Sequence, residues 1–468
     1  MLESIIGLDM LIEKKLNFID QNEEKLLQKL IQFLRIESIS TDKNFSIPCK
    51  EAANWLVKQL MNIGFQATAH KTKGNPIVLA SAGSGPPHLL FYGHYDVQPT
   101  DPLESWHTPP FEPEIKKGLN GSVICARGAS DDKGQLMTFI NACEAFIKTD
   151  GNLPCKISLV IEGEEETGST SLKKFLETNK QQLNADHALV CDTGMWNAQT
   201  PAISTMLRGM LGEELTIKAA NKDLHSGLYG GPAVNPIREL TRVISSLHDH
   251  NGRVTIKDFY KGVTEVPNYI KKQWSQLNFS SNNFFSEIGL NVSAGEYPYS
   301  VLEQIWSRPT CEINGIWGGY IGNGFKTVIP SEANAKISFR LVGEQDPEEI
   351  RGQFRNHIRN NIHRDCKVKF FSKDGSKAIS IPLDSPLIRA AQKALLDEWG
   401  TKPVFAGCGG SIPVVGSFKE ILGLETLLVG FSLEDDRIHS PNEKYNLKSY
   451  QKGAKSWIRI ISEIADYS

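Results

Sequence analysis

Four short apolar runs in the first half of the sequence are each followed by residues that can bind a metal ion or carry a proton. Runs of this length, bounded by turn residues, are typical of buried parallel strands. The carboxyl ends of parallel strands meet at one edge of a sheet, so we expect these polar residues to converge there. The runs and the residues that follow them are 89–92 with His94 and Asp96, 123–126 with Asp131 and Asp132, 157–161 with Glu164, Glu165 and Glu166, and 188–191 with Asp192.

Apolar residues at helical spacing predict helices that pack against this sheet. Two precede the sheet, at 23–36 and 50–63, and one closes the chain at 447–465. A last apolar strand, 425–431, leads into a loop that contains His439. His439 is therefore a further candidate of the same kind.

The pattern changes near residue 203, where longer strands with alternating apolar and polar positions begin. Strands such as 214–219 and 333–341, with helices near 236–247 and 347–358, predict an α+β sandwich. We therefore expect an α/β catalytic domain with a mostly parallel central sheet, made of two chain segments, and an α+β domain inserted between them. The catalytic segments are 1–203 and 381–468, and the inserted domain is 204–380.

Composition and charge narrow the classes of function. The 468 residues are 40% apolar and 22% charged, which is typical of a globular protein and not of a disordered one. The formal net charge is -3 and basic residues form no block, so we expect no nucleic-acid partner and no anionic membrane surface as a partner. No apolar run approaches the length of a membrane span.

The cysteines and the N-terminus bear on the compartment. The 8 cysteines form no Cys-x-x-Cys pair, which predicts reduced thiols and not a disulfide framework or a Cys-ligated zinc site. The first residues include Glu3, Asp9 and Glu13 and lack the cationic start and continuous apolar core of a secretory signal. We therefore expect a cytoplasmic protein that acts on small polar substrates.

Each of these signals has a simpler interpretation when it is taken alone. The three consecutive Glu could form a solvated loop, although adjacent carboxylates repel unless a cation or proton is near. The Asp131–Asp132 pair could cap the helix that follows it. His225 lies in a polar loop where a surface histidine is expected, and Arg340 could form a surface ion pair.

Seven motifs, in order along nearly the whole chain, together resemble the cocatalytic-zinc peptidase family that includes carnosinases, related cytosolic dipeptidases, carboxypeptidase G and succinyl-diaminopimelate desuccinylase. The resemblance implies a metallopeptidase that hydrolyses an amide bond with a water bridged between two zinc ions. It also implies the catalytic domain and inserted lid domain of that family. The motifs occupy residues 93–99, 127–134, 165–169, 224–227, 326–330, 409–413 and 439–443.

The resemblance also implies which residues hold the metal ions. Asp131 would bridge two Zn²⁺ ions per chain, for which Mn²⁺ or Co²⁺ can substitute. His94 and Asp192 would complete one ion, and Glu166 and His439 the other. Imidazole and carboxylate are suitable ligands for zinc.

Three further features of the catalytic segments follow from the same resemblance. Glu165 would be the general base, taking a proton from the water and passing it to the leaving nitrogen. Asp96 would hold the free ring nitrogen of His94. Glu164 is assigned to structure, and the Asp131–Asp132 peptide bond is expected to be cis.

The remaining motifs are expected to bind substrate. In the resembled family the inserted domain joins two subunits, so we expect a homodimer in which His225 reaches the partner's site and stabilises the oxyanion. Arg340 matches a carboxylate-binding arginine. Thr327, Gly410 and Ser411 are expected to contact the substrate, with the glycine permitting close approach of the backbone.

Substrate class is less strongly indicated. Asp at position 192 and the long insertion that includes 260–309 favour a carnosinase-type dipeptidase within the resembled family. An N-acyl-amino-acid amidohydrolase such as succinyl-diaminopimelate desuccinylase is the alternative, because its metal centre would be the same and only the pocket would differ. A non-catalytic binding member would have lost a ligand or the base, and here none is missing.

Overall fold

The computed structural model describes residues 2–410 and 412–466, with side chains from Met10 onward. This chain divides into two compact units. The first unit contains Met1–Thr205, Ile381–Ala406 and Pro413–Ser468, and the second contains Met206–Ser380 and Gly407–Ile412.

The strands and α-helices are numbered in chain order. The strands are β1 (Gln66–His70), β2 (Ile77–Ala82), β3 (His88–His94), β4 (Glu114–Gly118), β5 (Gly121–Cys125), β6 (Lys156–Glu162), β7 (His187–Val190), β8 (Ala202–Leu207), β9 (Gly209–Lys218), β10 (Leu224–His225), β11 (Thr310–Gly318), β12 (Val328–Ile329), β13 (Glu332–Leu341), β14 (Lys367–Ser372), β15 (Ile379–Ser380), β16 (Val404–Cys408), β17 (Glu425–Leu428) and β18 (Lys444–Asn446). The α-helices are α1 (Leu2–Gln21), α2 (Glu23–Leu34), α3 (Ser46–Ile63), α4 (Lys133–Asp150), α5 (Leu172–Thr178), α6 (Ser226–Tyr229), α7 (Pro236–Ser245), α8 (Asn268–Ser275), α9 (Ser281–Glu287), α10 (Val301–Trp306), α11 (Pro347–Asn361), α12 (Pro386–Trp399), α13 (Pro413–Ser417) and α14 (Leu447–Asp466).

A six-stranded sheet forms the centre of the first unit. Its order is β1-β2-β6-β3-β7-β17, and β6, β3, β7 and β17 are parallel. The hairpin β1–β2 adds two antiparallel strands at one edge. The apolar runs predicted as buried strands are buried along β3 and β6. The expected fold class, α/β with a mostly parallel central sheet, is confirmed.

Helices cover this sheet through an aromatic cluster. Phe91 on β3 stacks on Phe139 of α4 with ring centroids 3.7 Å apart. Trp457 of α14 meets both rings edge-on, at 5.9 and 5.3 Å. All three side chains are buried, so the core of the first unit lies between the sheet and these helices.

One expectation about the first unit was wrong. The run at 123–126 does not join the parallel sheet, because β5 pairs antiparallel with β4 and β18 in a separate three-stranded sheet. Only Val123 and Ile124 of β5 are fully buried, so the run lacks the two buried faces of a central parallel strand. Asp131 therefore reaches the sheet edge on the loop before α4 and not directly from a parallel strand.

The second unit is built on an antiparallel sheet of order β11-β13-β9-β14. Helices α7 and α11 pack on it and bury an apolar core that includes Leu215, Leu240, Phe339 and Phe354. The short strands β10 and β12 pair as a separate ribbon. Strands β15, β8 and β16 form a further three-stranded sheet in the order β15-β8-β16. None of the described helices has a stretch long and apolar enough to cross a membrane.

Candidate metal centre

The polar residues that follow the parallel strands meet at the carboxyl edge of the central sheet. His94 is the last residue of β3, Glu165 and Glu166 form a turn directly after β6, and Asp192 follows β7. Potential ligand atoms lie within 4.8 Å of one another in two groups, and Asp131 belongs to both. One group is His94, Asp131 and Asp192, and the other is Asp131, Glu166 and His439.

Asp131 faces a different histidine with each carboxylate oxygen. Its Oδ1 lies 3.1 Å from Nε2 of His94, and its Oδ2 lies 2.8 Å from Nε2 of His439. The Oε2 atom of Glu166 is 3.4 Å from the same His439 nitrogen. This is the arrangement expected of a carboxylate shared between two positive charges.

The histidine nitrogens beside Asp131 and Glu166 face carboxylate oxygens, so a proton or a metal cation between them is favoured. Nδ1 of His94 lies 3.0 Å from the carbonyl oxygen of Asp96 and therefore donates a hydrogen bond to it. Its Nε2 faces a carboxylate oxygen, so a proton or a metal cation is needed on that side. Hydrogen bonds to Asp131 and Glu166 raise the pKa of His439 to about 10.

The carboxylates near Asp131 are close together, which also favours a bound cation. Burial, followed by the charges of Asp131 and Asp132, raises the pKa of Asp192 well above its usual value. Burial also raises the pKa of Glu165 to about 7, with His94 opposing the shift. Buried Oε1 of Glu166 has no hydrogen-bond partner among the described residues. Buried carboxylates and an unpartnered oxygen fit a site for cations.

Asp96 holds the turn that carries Glu165 and Glu166. Its fully buried carboxylate accepts hydrogen bonds from the backbone N–H of Glu165, at 3.3 Å, and of Glu166, at 3.1 Å. Its Oδ1 also lies 3.4 Å from Nδ1 of His94. The contact expected from the sequence, between Asp96 and the free His94 nitrogen, thus involves mainly the backbone carbonyl of Asp96, and its carboxylate positions the turn.

The loop that carries Asp131 is fixed by Glu443, to which the sequence assigned no role. One carboxylate oxygen of Glu443 accepts from the backbone N–H groups of Ser130 and Asp131, and the other from Gly128 N–H and the Arg127 guanidinium, all at 2.8–3.0 Å. Glu443 is fully buried. The Asp131–Asp132 peptide bond is cis, as expected. The only sequence signal for Glu443 was its place in the motif at 439–443.

In the second unit, two of the expected substrate-binding motifs form one ribbon. His225 pairs with Val328 across β10 and β12, and the Ser226 N–H donates to the Thr327 carbonyl at 3.0 Å. His225 and Thr327 are exposed. Nδ1 of His225 accepts from the Gly227 N–H at 3.0 Å, so its Nε2 is the ring nitrogen left for other contacts.

Arg208, which the sequence analysis did not select, lies beside the other expected substrate-binding residues of the second unit. Its backbone N–H donates to the Gly410 carbonyl at 3.2 Å, and its Nε donates to the Gly409 carbonyl at 2.9 Å. Burial and the charge of nearby Arg340 lower the pKa of Arg208 to about 10. Ser411, also expected here, lies outside the described residues. Arg208 thus adds a positive charge near Arg340 and is hydrogen-bonded to the glycine loop.

Comparison with known proteins decides the family. The model of peptidase family M20/M25/M40 matches residues 90–463. The chain belongs to this family. The chain is therefore a metal-dependent peptidase.

Individual relatives support the same assignment. The Cys-Gly metallodipeptidase DUG1 of Candida albicans is 30% identical over 460 residues, which are 94% of this chain and 94% of that protein. The crystal structure of human carnosine dipeptidase 1 has a TM-score of 0.78 at 27% identity and covers 97% of this chain and 99% of its own. An M20 family metallo-carboxypeptidase from Sulfolobus solfataricus has a TM-score of 0.81 at 30% identity and covers 94% and 99%. The expected similarity to carnosinase-type members is confirmed.

Proposed function

We propose that the protein is a dipeptidase with two zinc ions per chain. The observation that carries this proposal is the position of Asp131, which is shared by two groups of ligands. His94 and Asp192 would hold one ion with it, and Glu166 and His439 the other. Bound zinc supplies Lewis-acid stabilisation of developing negative charge and lowers the pKa of water. Mn²⁺ or Co²⁺ would suit the same imidazole and carboxylate donors.

Glu165 is the general base in this proposal. The backbone N–H of Glu165 donates to Asp96, and burial raises the pKa of the Glu165 carboxyl, which favours its uptake of a proton. It takes the proton from the attacking water and returns it to the leaving amine. Glu166, the next residue, is held by the same Asp96 carboxylate, so the base and a metal ligand keep a fixed spacing.

The second unit supplies the proposed substrate contacts. Arg340 and the backbone of Gly410 would bind the substrate carboxylate, with Thr327 beside it and Ser411 contributing its hydroxyl. His225 would stabilise the oxyanion through Nε2, because its Nδ1 accepts a hydrogen bond within its own loop. We propose residues 204–380 as the inserted lid and dimerisation domain.

A homodimer is proposed because strand β11 is an open edge with exposed apolar side chains. Ile316 and Trp317 on this strand are 49% and 41% exposed, and Ile321 and Phe325 in the following loop are 93% and 103% exposed. An open edge of this kind favours pairing with another chain, and a second copy gives a two-fold interface. We also propose a cytoplasmic location, since all eight cysteines are free thiols.

A carboxypeptidase is the second candidate, favoured by the likeness to the Sulfolobus solfataricus metallo-carboxypeptidase. An N-acyl-amino-acid amidohydrolase such as a desuccinylase is the third, because the metal centre would serve it equally. The substrates of these candidates differ in the group that precedes the scissile bond. In a dipeptide it is a single residue with a free amino group, in a carboxypeptidase substrate a longer peptide, and in an acyl-amino acid an acyl group.

A substrate panel separates the three candidates. Protein loaded with zinc or manganese is assayed against Cys-Gly and carnosine, the corresponding tripeptides, and N-acetyl and N-succinyl amino acids. We expect the highest kcat/KM for a dipeptide. A tripeptide or acyl-amino acid preferred by more than about tenfold, equivalent to about 1.4 kcal/mol, would replace the dipeptidase proposal.

A further inference from the structure

A cavity in the first unit is lined by residues that do not belong to the candidate metal centre. It has a volume of about 570 Å³ and lies between the end of β1 and helix α5. Small-molecule sites commonly have volumes of roughly 300–1,000 Å³. The cavity is therefore large enough for a ligand the size of a nucleotide.

The polar lining of this cavity is basic. Lys71, Lys73 and Lys174 contribute three ammonium groups, and no Asp or Glu lines the cavity. Within the part of the chain that the structure describes, none of the three lysines forms an ion pair. Three like charges around one cavity, none of them in an ion pair, favour a multiply charged anion.

The cavity also has an aromatic wall. His70 and Phe175 meet edge-to-face with ring centroids 5.5 Å apart. Phe175 is 8% exposed, so a ligand in the cavity would meet the small part of its ring that faces the cavity, together with His70. An apolar wall beside cations suits an organic body that carries a charged group, and it adds nothing for a bare inorganic anion.

The cavity has two walls, residues 70–73 and residues 170–179. Hydrogen bonds link both walls to Glu164, the residue before Glu165. On one side, Oε1 of Glu164 accepts from the Asn75 N–H at 3.3 Å, and the Asn75 carbonyl accepts from the Thr72 hydroxyl at 2.7 Å. On the other side, Oε2 accepts from the Ser171 N–H at 3.0 Å. Glu164 is 7% exposed. A ligand that joins the two walls would thus restrain the turn that carries Glu165.

We propose that this cavity binds a small organic phosphate, with the phosphate between the three lysines and the organic body against Phe175 and His70. Occupancy links the two walls and reduces local opening of the turn at 164–171. The phosphate is the part that the lysines recognise, and the aromatic wall distinguishes an organic phosphate from the free ion.

The test uses AMP as the probe and the metal-loaded full chain. Calorimetric titration should show AMP binding, no binding of adenosine, and weaker binding of inorganic phosphate. A Lys71→Ala/Lys73→Ala/Lys174→Ala variant should weaken AMP binding about tenfold or more, because it removes three charge contacts. Hydrogen exchange of the amides at 164–171 should slow on addition of AMP in the wild-type protein and not in the triple variant.

The matched control is Lys173→Ala/Lys180→Ala, which removes two exposed lysines of the same region that do not line the cavity. It should bind AMP within about twofold of wild type. Equal AMP binding by the triple variant would place the ligand elsewhere, including on the metal centre, and would overturn the proposal. Equal affinity for inorganic phosphate and AMP would overturn the organic ligand, and unchanged hydrogen exchange at 164–171 would overturn the link through Glu164.

Discussion

At the scale of single residues, Asp131 is the carboxylate that the two groups of candidate metal ligands share. Each of its oxygens faces a histidine nitrogen, and Glu166 and Asp192 add two more carboxylates to the same region. Removing Asp131 would leave the two groups of candidate ligands without the carboxylate that they share. Removing Glu165 should be different, because Glu165 belongs to neither group of ligands.

Replacement of Glu165 by Ala should therefore abolish most of the activity while leaving the metal in place. General-base catalysis contributes about 10²–10⁴-fold to rate, so we expect kcat to fall by about that factor. Metal content, measured by elemental analysis, should stay at the wild-type value. Glu177→Ala, at an exposed position on α5, is the control and should change neither quantity. Loss of metal from the Glu165 variant would show that Glu165 is a ligand.

At the scale of elements, the short strand β18 brings two parts of the centre together. It pairs with β5, and so places Glu443 directly below the loop that ends in Asp131. The ion pair between Glu443 and Arg127 is 2.8 Å long, with both side chains 1% exposed. Arg127 in turn donates to the Pro99 carbonyl at 2.9 Å, which ties the loop after β3 to the same cluster.

Replacement of Glu443 by Gln should weaken both folding and metal binding. It leaves the Arg127 charge buried without its partner, and breaking a buried pair in this way costs about 3–5 kcal/mol. Urea unfolding of the metal-free protein measures this loss, and zinc titration measures the affinity. We expect zinc to bind more weakly because the Asp131 loop loses two of its restraints.

The double variant Arg127→Met/Glu443→Gln is the control for this prediction. It removes the unpaired charge, so it should regain part of the lost stability. Its zinc affinity should stay low, since the hydrogen bonds to the loop are still incomplete. Wild-type zinc affinity in Glu443→Gln would mean that the Asp131 loop keeps its position without this carboxylate.

At the scale of the whole molecule, the question is whether one chain suffices for a complete site. His225 lies in the second unit, on an exposed ribbon, and its Nδ1 is occupied by its own loop. The open edge β11 and its apolar side chains lie in the same unit. These features support a dimer in which the second unit of one chain completes the site of the other.

Complementation between two inactive variants tests this dimer. Glu165→Ala chains are mixed with His225→Ala chains under conditions that allow subunits to exchange. Random exchange makes half of the dimers mixed, each with one complete site, so we expect about a quarter of the wild-type activity. Chains with different tags verify the exchange. If exchange occurs and activity stays at the level of the separate variants, His225 does not act across the interface.

The sequence alone determined the residues that follow the parallel strands. Because fully buried parallel strands are continuous apolar runs, β3, β6 and β7 were visible, and with them the positions of His94, Glu165, Glu166 and Asp192. The family followed from the order of motifs along the chain. These features are local, since an apolar run and the residue after it are neighbours in the sequence.

Which distant segments meet became clear only from the three-dimensional fold. The apolar run of β5 could not show that its partner is β18, more than three hundred residues away, because periodicity encodes burial and not the identity of the neighbour. For the same reason Glu443, Arg208 and the carbonyl contact of Asp96 were not foreseen. Each depends on a polar group whose partner lies in another segment or on the backbone, and buried polar groups are satisfied by three-dimensional position.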